Sequence, residues 1–170
     1  MPQFDRYVGI DYSGSGTPVT CSPKLRIFEA GVHELPSECA GSPIWTRRAI
    51  AEWLIKQFQS GSRLAVGIDH AFSFPEAYFQ RYGLEHDWHR FLEDFEAHWP
   101  TRDDGATVQH LRPRNARTGD PDWLRMTEKW TVSAKSVFKF DVPGQVAHST
   151  HAGIPWLQYI YRRGGGRVHF

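Results

Sequence analysis

Val8 and Ile10 alternate with Gly9 and Asp11, and the same four residues recur as Val66-Gly67-Ile68-Asp69. Each copy is a short apolar run closed by a carboxylate and then by turn-forming residues, the pattern of a buried strand. Residues two apart on a strand share a face. The period therefore predicts strands over 6–12 and 63–69, each with its Val and Ile on one face and its Gly and Asp on the other. Leu25–Ala30 predicts another strand, and Val32–Leu35 a short one that ends at Pro36. Between the two copies, Ile50, Trp53, Leu54 and Phe58 recur at helical spacing. Ser42-Pro43 supplies a cap and first-turn proline for that helix, and Ser60-Gly61 a stop.

After the second copy the period is helical. A helix over 75–82 stops at Gly83, and one over 85–99 turns Trp88, Phe91, Leu92 and Phe95 inward before Pro100. Residues 101–121 carry no period and read as a long polar loop containing Arg112, Arg114 and Arg117. Trp123, Met126 and Trp130 predict a short helix. Ser149-Thr150 reads as the cap of a last helix that turns Ile154, Leu157, Ile160 and Tyr161 inward and ends at Gly164-Gly165-Gly166. Arg167–Phe170 then reads as a strand, and its open edge predicts self-association.

Composition narrows the class. The chain has 170 residues, which suits one domain, and its 40% hydrophobic and 23% charged content is that of a globular protein. A net charge of +1 means that any nucleic-acid contact must be a local patch and not a global field. Cys21 and Cys39 lack the spacing of a disulfide framework or a thiolate zinc site. With no long apolar run and no leader-like N-terminus, the expectation is a cytoplasmic protein without a membrane partner.

The repeated tetrapeptide carries the candidate chemistry. If the two strands pair in register, Asp11 and Asp69 leave neighbouring strands about 5 Å apart on one face. Two carboxylates that close repel, and divalent cations relieve the conflict; a pair of oxygen-ligated cations is a common device for cleaving phosphodiesters. Glu52, on the helix between the strands, is either a solvated carboxylate or a third ligand. His70 is either a general acid beside Asp69 or a hydrogen-bonded structural residue. The loop from Ser13 can offer backbone N–H groups to an anion or be a plain turn, since neither a Walker lysine nor GxGxxG is present. Lys135 is either a phosphate contact or a solvated lysine. Arg112, Arg114 and Arg117 form either a phosphate-holding arm or part of a mobile loop.

The order of elements resembles the ribonuclease H-like fold: a strand with Asp, a meander, a helix with Glu, a strand with Asp, then helices. The phrases GIDYSG, GIDHAFSFP, AKSVFKFDV and STHAGIPWL, spread over nearly the whole chain, resemble a branch labelled predicted nucleases and related to domain-of-unknown-function family 429. The resemblance implies an α/β domain with three antiparallel strands, then parallel strands, and helices on both faces of a mixed sheet, here without the C-terminal helix. It implies one domain over 1–170 with a large helical and loop insertion at about 71–166. It further implies two Mg²⁺ or Mn²⁺ ions on Asp11, Glu52 and Asp69, and hydrolysis of DNA or RNA. A non-catalytic nucleic-acid-binding or scaffold domain is the alternative. Nucleotide-binding phosphotransfer is another, but it would need a second lobe.

Overall fold

The computed structural model describes residues 3–39, 45–141 and 146–170. Strand β1 (Arg6–Asp11) runs antiparallel to β2 (Arg26–Gly31), which pairs with the two-residue β3 (Ser37–Glu38). On its other side β1 runs parallel to β4 (Leu64–Ile68), so the mixed open sheet has the order β3-β2-β1-β4. The two copies pair in register: Val8 lies beside Val66, Gly9 beside Gly67 and Ile10 beside Ile68. The third strand begins five residues later than the hydrophobic pattern predicts, beyond Pro36. Val32 and Leu35 stay in solvent, and Cys39 N–H donates to Ile27 O at 2.8 Å just beyond β3.

Helix α1 (Arg47–Gln59) starts at Thr46, whose hydroxyl accepts from Ala49 N–H at 3.0 Å. The expected start at Ser42-Pro43 lies outside the described residues. α2 (Glu76–Tyr82) closes at Gly83, where φ is 61°. α3 (Trp88–His98) is capped by the Asp87 carboxylate on Arg90 N–H at 2.8 Å. α4 (Val108–Leu111) and α5 (Met126–Lys129) are single turns, and α6 (Val146–Arg163) is the longest helix.

Two cores result. Val8, Ile10 and Ile27 pack with Ile50 and Leu54 of α1 and with Trp156 and Ile160 of α6, closing one face of the sheet. Each such burial contributes roughly 1.5–3 kcal/mol. The second core is aromatic: Phe74, Tyr78, Phe91, Phe95 and Phe138 pack together, and the rings of Phe74, Phe95 and Phe138 surround His151 at 4.9, 5.8 and 5.9 Å. Helix α6 belongs to both cores, so the expected insertion over 71–166 is too long. Its last part is a wall of the sheet core. Ser149-Thr150 lies inside α6 and is buried; Thr150 is not a cap, and its hydroxyl accepts from Ala71 N–H at 3.1 Å. Pro155, in the middle of α6, cannot donate to the carbonyl of His151, and the buried Thr101 hydroxyl donates to that carbonyl instead at 2.7 Å.

The polar stretch 101–121 is not a structureless arm. Beyond α4 it forms a 3₁₀ turn at Arg112–Arg114, and side chains of neighbouring elements take its backbone groups. Tyr82 donates to Thr118 O at 2.7 Å, and Trp99 Nε1 donates to Arg117 O at 3.0 Å. No periodic signal accompanies such anchoring.

Among the described residues, helices cover one face of the sheet and not both. The face with Gly9 has nothing within 4 Å of where a Cβ would stand, and Tyr7 beside it is 42% exposed. The predicted terminal strand is absent as well. Val168 is buried in the sheet core, and Phe170 packs on Trp88 and Phe72. A groove of about 970 Å³ separates this segment from β4, which is therefore itself the sheet edge. Self-association through a C-terminal strand loses its basis. Among the described residues no helix is long and apolar enough to cross a membrane.

Candidate active site

β1 and β4 end side by side. Asp69 N–H donates to Ile10 O at 2.9 Å and carries the parallel ladder one residue past the strand. The alternation that buries Val8 and Ile10 turns Asp11 and Asp69 to the opposite, open face, and both are exposed. The two carboxylates line a cleft of about 670 Å³. The Ser13–Gly16 loop lines the same cleft, with Lys24, Gln109, Asp141 and His148.

The loop is held from behind by Arg47, which is 1% exposed at the start of α1. Its guanidinium donates to Ser13 O at 3.1 Å, Ser15 O at 2.8 Å and Gly16 O at 2.7 Å. Burial pulls the Arg47 pKa down from the ordinary arginine value. Gly14 is fitted against α6, where a Cβ would stand 2.1 Å from His148 O. Gly14→Ala is therefore expected to cost about 3 kcal/mol, because a backbone carbonyl in a helix cannot swing aside. Urea unfolding measures this, and a loss under about 0.5 kcal/mol would contradict the packing.

Charges around the acidic pair are largely committed elsewhere. Arg26 is the cross-strand neighbour of Asp11, but its guanidinium forks onto Glu38 at 2.9 and 2.7 Å. Asp141 takes a similar fork from Arg112 at 3.0 and 3.4 Å, which holds its carboxyl below the usual aspartate range. Partial burial lowers the pKa of His148, and the Arg112 charge adds to the effect.

The other expected site residues lie elsewhere. Glu52 is exposed on α1 and does not line the cleft. At about 100° per residue it sits roughly 200° around from both Ile50 and Leu54, the residues that face the sheet. His70 is buried, because the alternation that exposes Asp69 sends its neighbour inward. Its Nδ1 lies 2.9 Å from Ala71 O, its ring meets Tyr12 edge-on at 4.7 Å, and burial lowers its pKa to about 4. It cannot serve the cleft as a general acid. Arg117 pairs with Asp94 at 2.6 Å and lies over the Tyr82 ring at 4.4 Å. Arg114 and Lys135 are exposed and do not line the cleft. Of the three arginines only Arg112 reaches the rim, through Asp141.

Asp141, Lys24, Gln109 and His148 were not legible as site residues. Asp141 lies within the phrase AKSVFKFDV, but neither spacing nor period marks the other three. Among the described residues no three His, Cys, Asp or Glu side chains gather in a way that could hold a metal ion. The donor set of Asp11 and Asp69 still fits one hard cation, since Mg²⁺ takes one or two carboxylates and completes its shell with water and substrate oxygens. It does not fit the expected pair of ions sharing Glu52. Comparison with protein-family models, with curated proteins and with solved structures returns no match.

Proposed function

We propose that this cleft hydrolyses phosphodiester bonds of nucleic acid with the help of one Mg²⁺ or Mn²⁺ on Asp11 and Asp69, in a domain of ribonuclease H-like type. The observation that carries the proposal is the in-register pairing of β1 with β4, which brings both carboxylates to one cleft. The antiparallel β1–β2–β3 meander followed by the parallel β4 supports the fold reading. A bound cation would supply Lewis acidity toward a phosphoryl oxygen and offset charge as the transition state develops. Asp11 and Asp69 would hold the cation. Lys24 and His148 line the cleft, where they can meet a phosphate of the substrate. The contacts proposed are to backbone phosphates, which carry no sequence information directly.

The test is an assay on labelled single-stranded, duplex and hybrid oligonucleotides with Mg²⁺, Mn²⁺ or a chelator. Cleavage that needs the cation and stops on chelation is the expected result. Binding without cleavage under every condition would favour a non-catalytic nucleic-acid-binding domain.

A further inference from the structure

We infer that the Ser13–Gly16 loop is a phosphate receptor, assembled by the buried guanidinium of Arg47 acting as a positioning residue. The argument starts from peptide geometry. Every described peptide bond is trans, so the C=O of one residue points opposite to the N–H of the next. Arg47 draws the carbonyls of Ser13 and Ser15 toward itself. The N–H groups of Gly14 and Gly16, which belong to the same two peptide units, must then point away from the guanidinium. Both glycines line the cleft. Neither N–H has a hydrogen-bond partner among the described residues. The third carbonyl, Gly16 O, leaves Thr17 N–H pointing away too, but that group is occupied by Thr20 Oγ1 at 3.1 Å.

Charge gives an independent reason. Arg47 carries its positive charge at 1% exposure, and its hydrogen bonds go to carbonyls, with no carboxylate in ion-pair range among the described residues. A buried cation without a counter-ion raises the potential at the surface above it, and that surface is the loop. Lys24, exposed at the same cleft, adds a second positive charge. Two unpartnered amides turned away from a fixed cation are donors suited to a tetrahedral oxyanion. Gly16 has φ of 70°, the left-handed conformation common where successive amides turn toward an anion. A phosphate seated there would lie on the same cleft as Asp11 and Asp69. The inference deepens the proposed function by assigning its phosphate subsite, but its binding can be read without any cleavage.

The experiment titrates inorganic phosphate into the ¹⁵N-labelled full chain with chelator present and ionic strength held constant with chloride. Amide shifts are read for the wild type and for the Asp11→Asn/Asp69→Asn double variant. Saturable movement of the Gly14 and Gly16 amides is expected in both, with tighter binding in the double variant because two nearby negative charges are gone. Arg47→Lys keeps a cation but loses the fork that turns the carbonyls inward, and should weaken phosphate about tenfold, equivalent to about 1.4 kcal/mol. Shifts confined to other amides, no saturable shift in either protein, or an unweakened Arg47→Lys would overturn the inference. Because the wild-type titration decides by itself, a poorly folding Arg47 variant does not blunt the test. No cleavage by the wild type with any cation, alongside intact phosphate shifts, would sink the nuclease reading and leave this one standing.

Discussion

Acidification from pH 7 to pH 4 is expected to destabilise this protein by about 6 kcal/mol through two histidines alone. His70 and His151 are both buried, and burial lowers their pKa values to about 4 and about 3. His151 has the more extreme setting. Trp99 lies 4.5 Å from its ring, Phe140 4.8 Å and Phe74 4.9 Å, and its Nδ1 is 2.9 Å from Ala147 O. An imidazolium there would find apolar rings where it needs water or a carboxylate. In the unfolded chain both histidines titrate near 6.5. Above that pH neither state is protonated and the full stability is present. Below it, the unfolded chain binds protons that the folded chain refuses, so stability falls as pH falls from 6.5 toward the folded values. By pH 4 the loss is on the order of 3 kcal/mol for each histidine, against a typical total of about 5–15 kcal/mol. Circular dichroism with urea at each pH measures the slope, and His151→Phe should remove about half of it. A stability that stays level from pH 6.5 to pH 4 would show that these rings are not sealed from water.

Asp11→Asn and Asp69→Asn are each expected to reduce cation-dependent cleavage by about 10²–10³-fold, equivalent to roughly 3–4 kcal/mol of transition-state stabilisation. The amide keeps the shape of the side chain but loses the charge that holds a divalent cation. Folding should change by no more than about 0.5 kcal/mol, because both carboxylates are exposed and neither anchors a neighbour. Rate measurements over a range of Mn²⁺ concentration distinguish weaker cation binding from a lost chemical step, and the former should recover in part at high Mn²⁺. Undiminished cleavage in either variant would move the chemistry away from this cleft. Glu52→Gln is the natural control, because its carboxylate is exposed on α1 and off the cleft.

The phase of a strand explains why Asp11 and Asp69 could be read in advance. A period of two is a local property, and two copies in the same phase that pair in register must present like residues together. The breaks at Gly83 and before Pro100 were readable for a similar reason, since glycine and proline act on their own backbone. His70 shows the limit of this logic. The same alternation that exposes Asp69 buries its neighbour, yet proximity in sequence to a carboxylate suggested a catalytic partner. Arg117 shows another limit: its role depends on Asp94 and Tyr82, which lie 23 and 35 residues away and carry no mark of that use.

Pattern along the chain thus dictated β1, β2 and β4, the in-register acids and the apolar stripe of α1, because each depends on a short repeating backbone geometry. Folding in three dimensions decided the rest. The Arg47 fork joins a helix start to a loop more than thirty residues earlier, and the cleft wall combines Lys24, Gln109, Asp141 and His148 from four separate segments. Hydrogen bonds and charge pairs of that kind form wherever packing brings donors to acceptors, and such meetings leave no period to read.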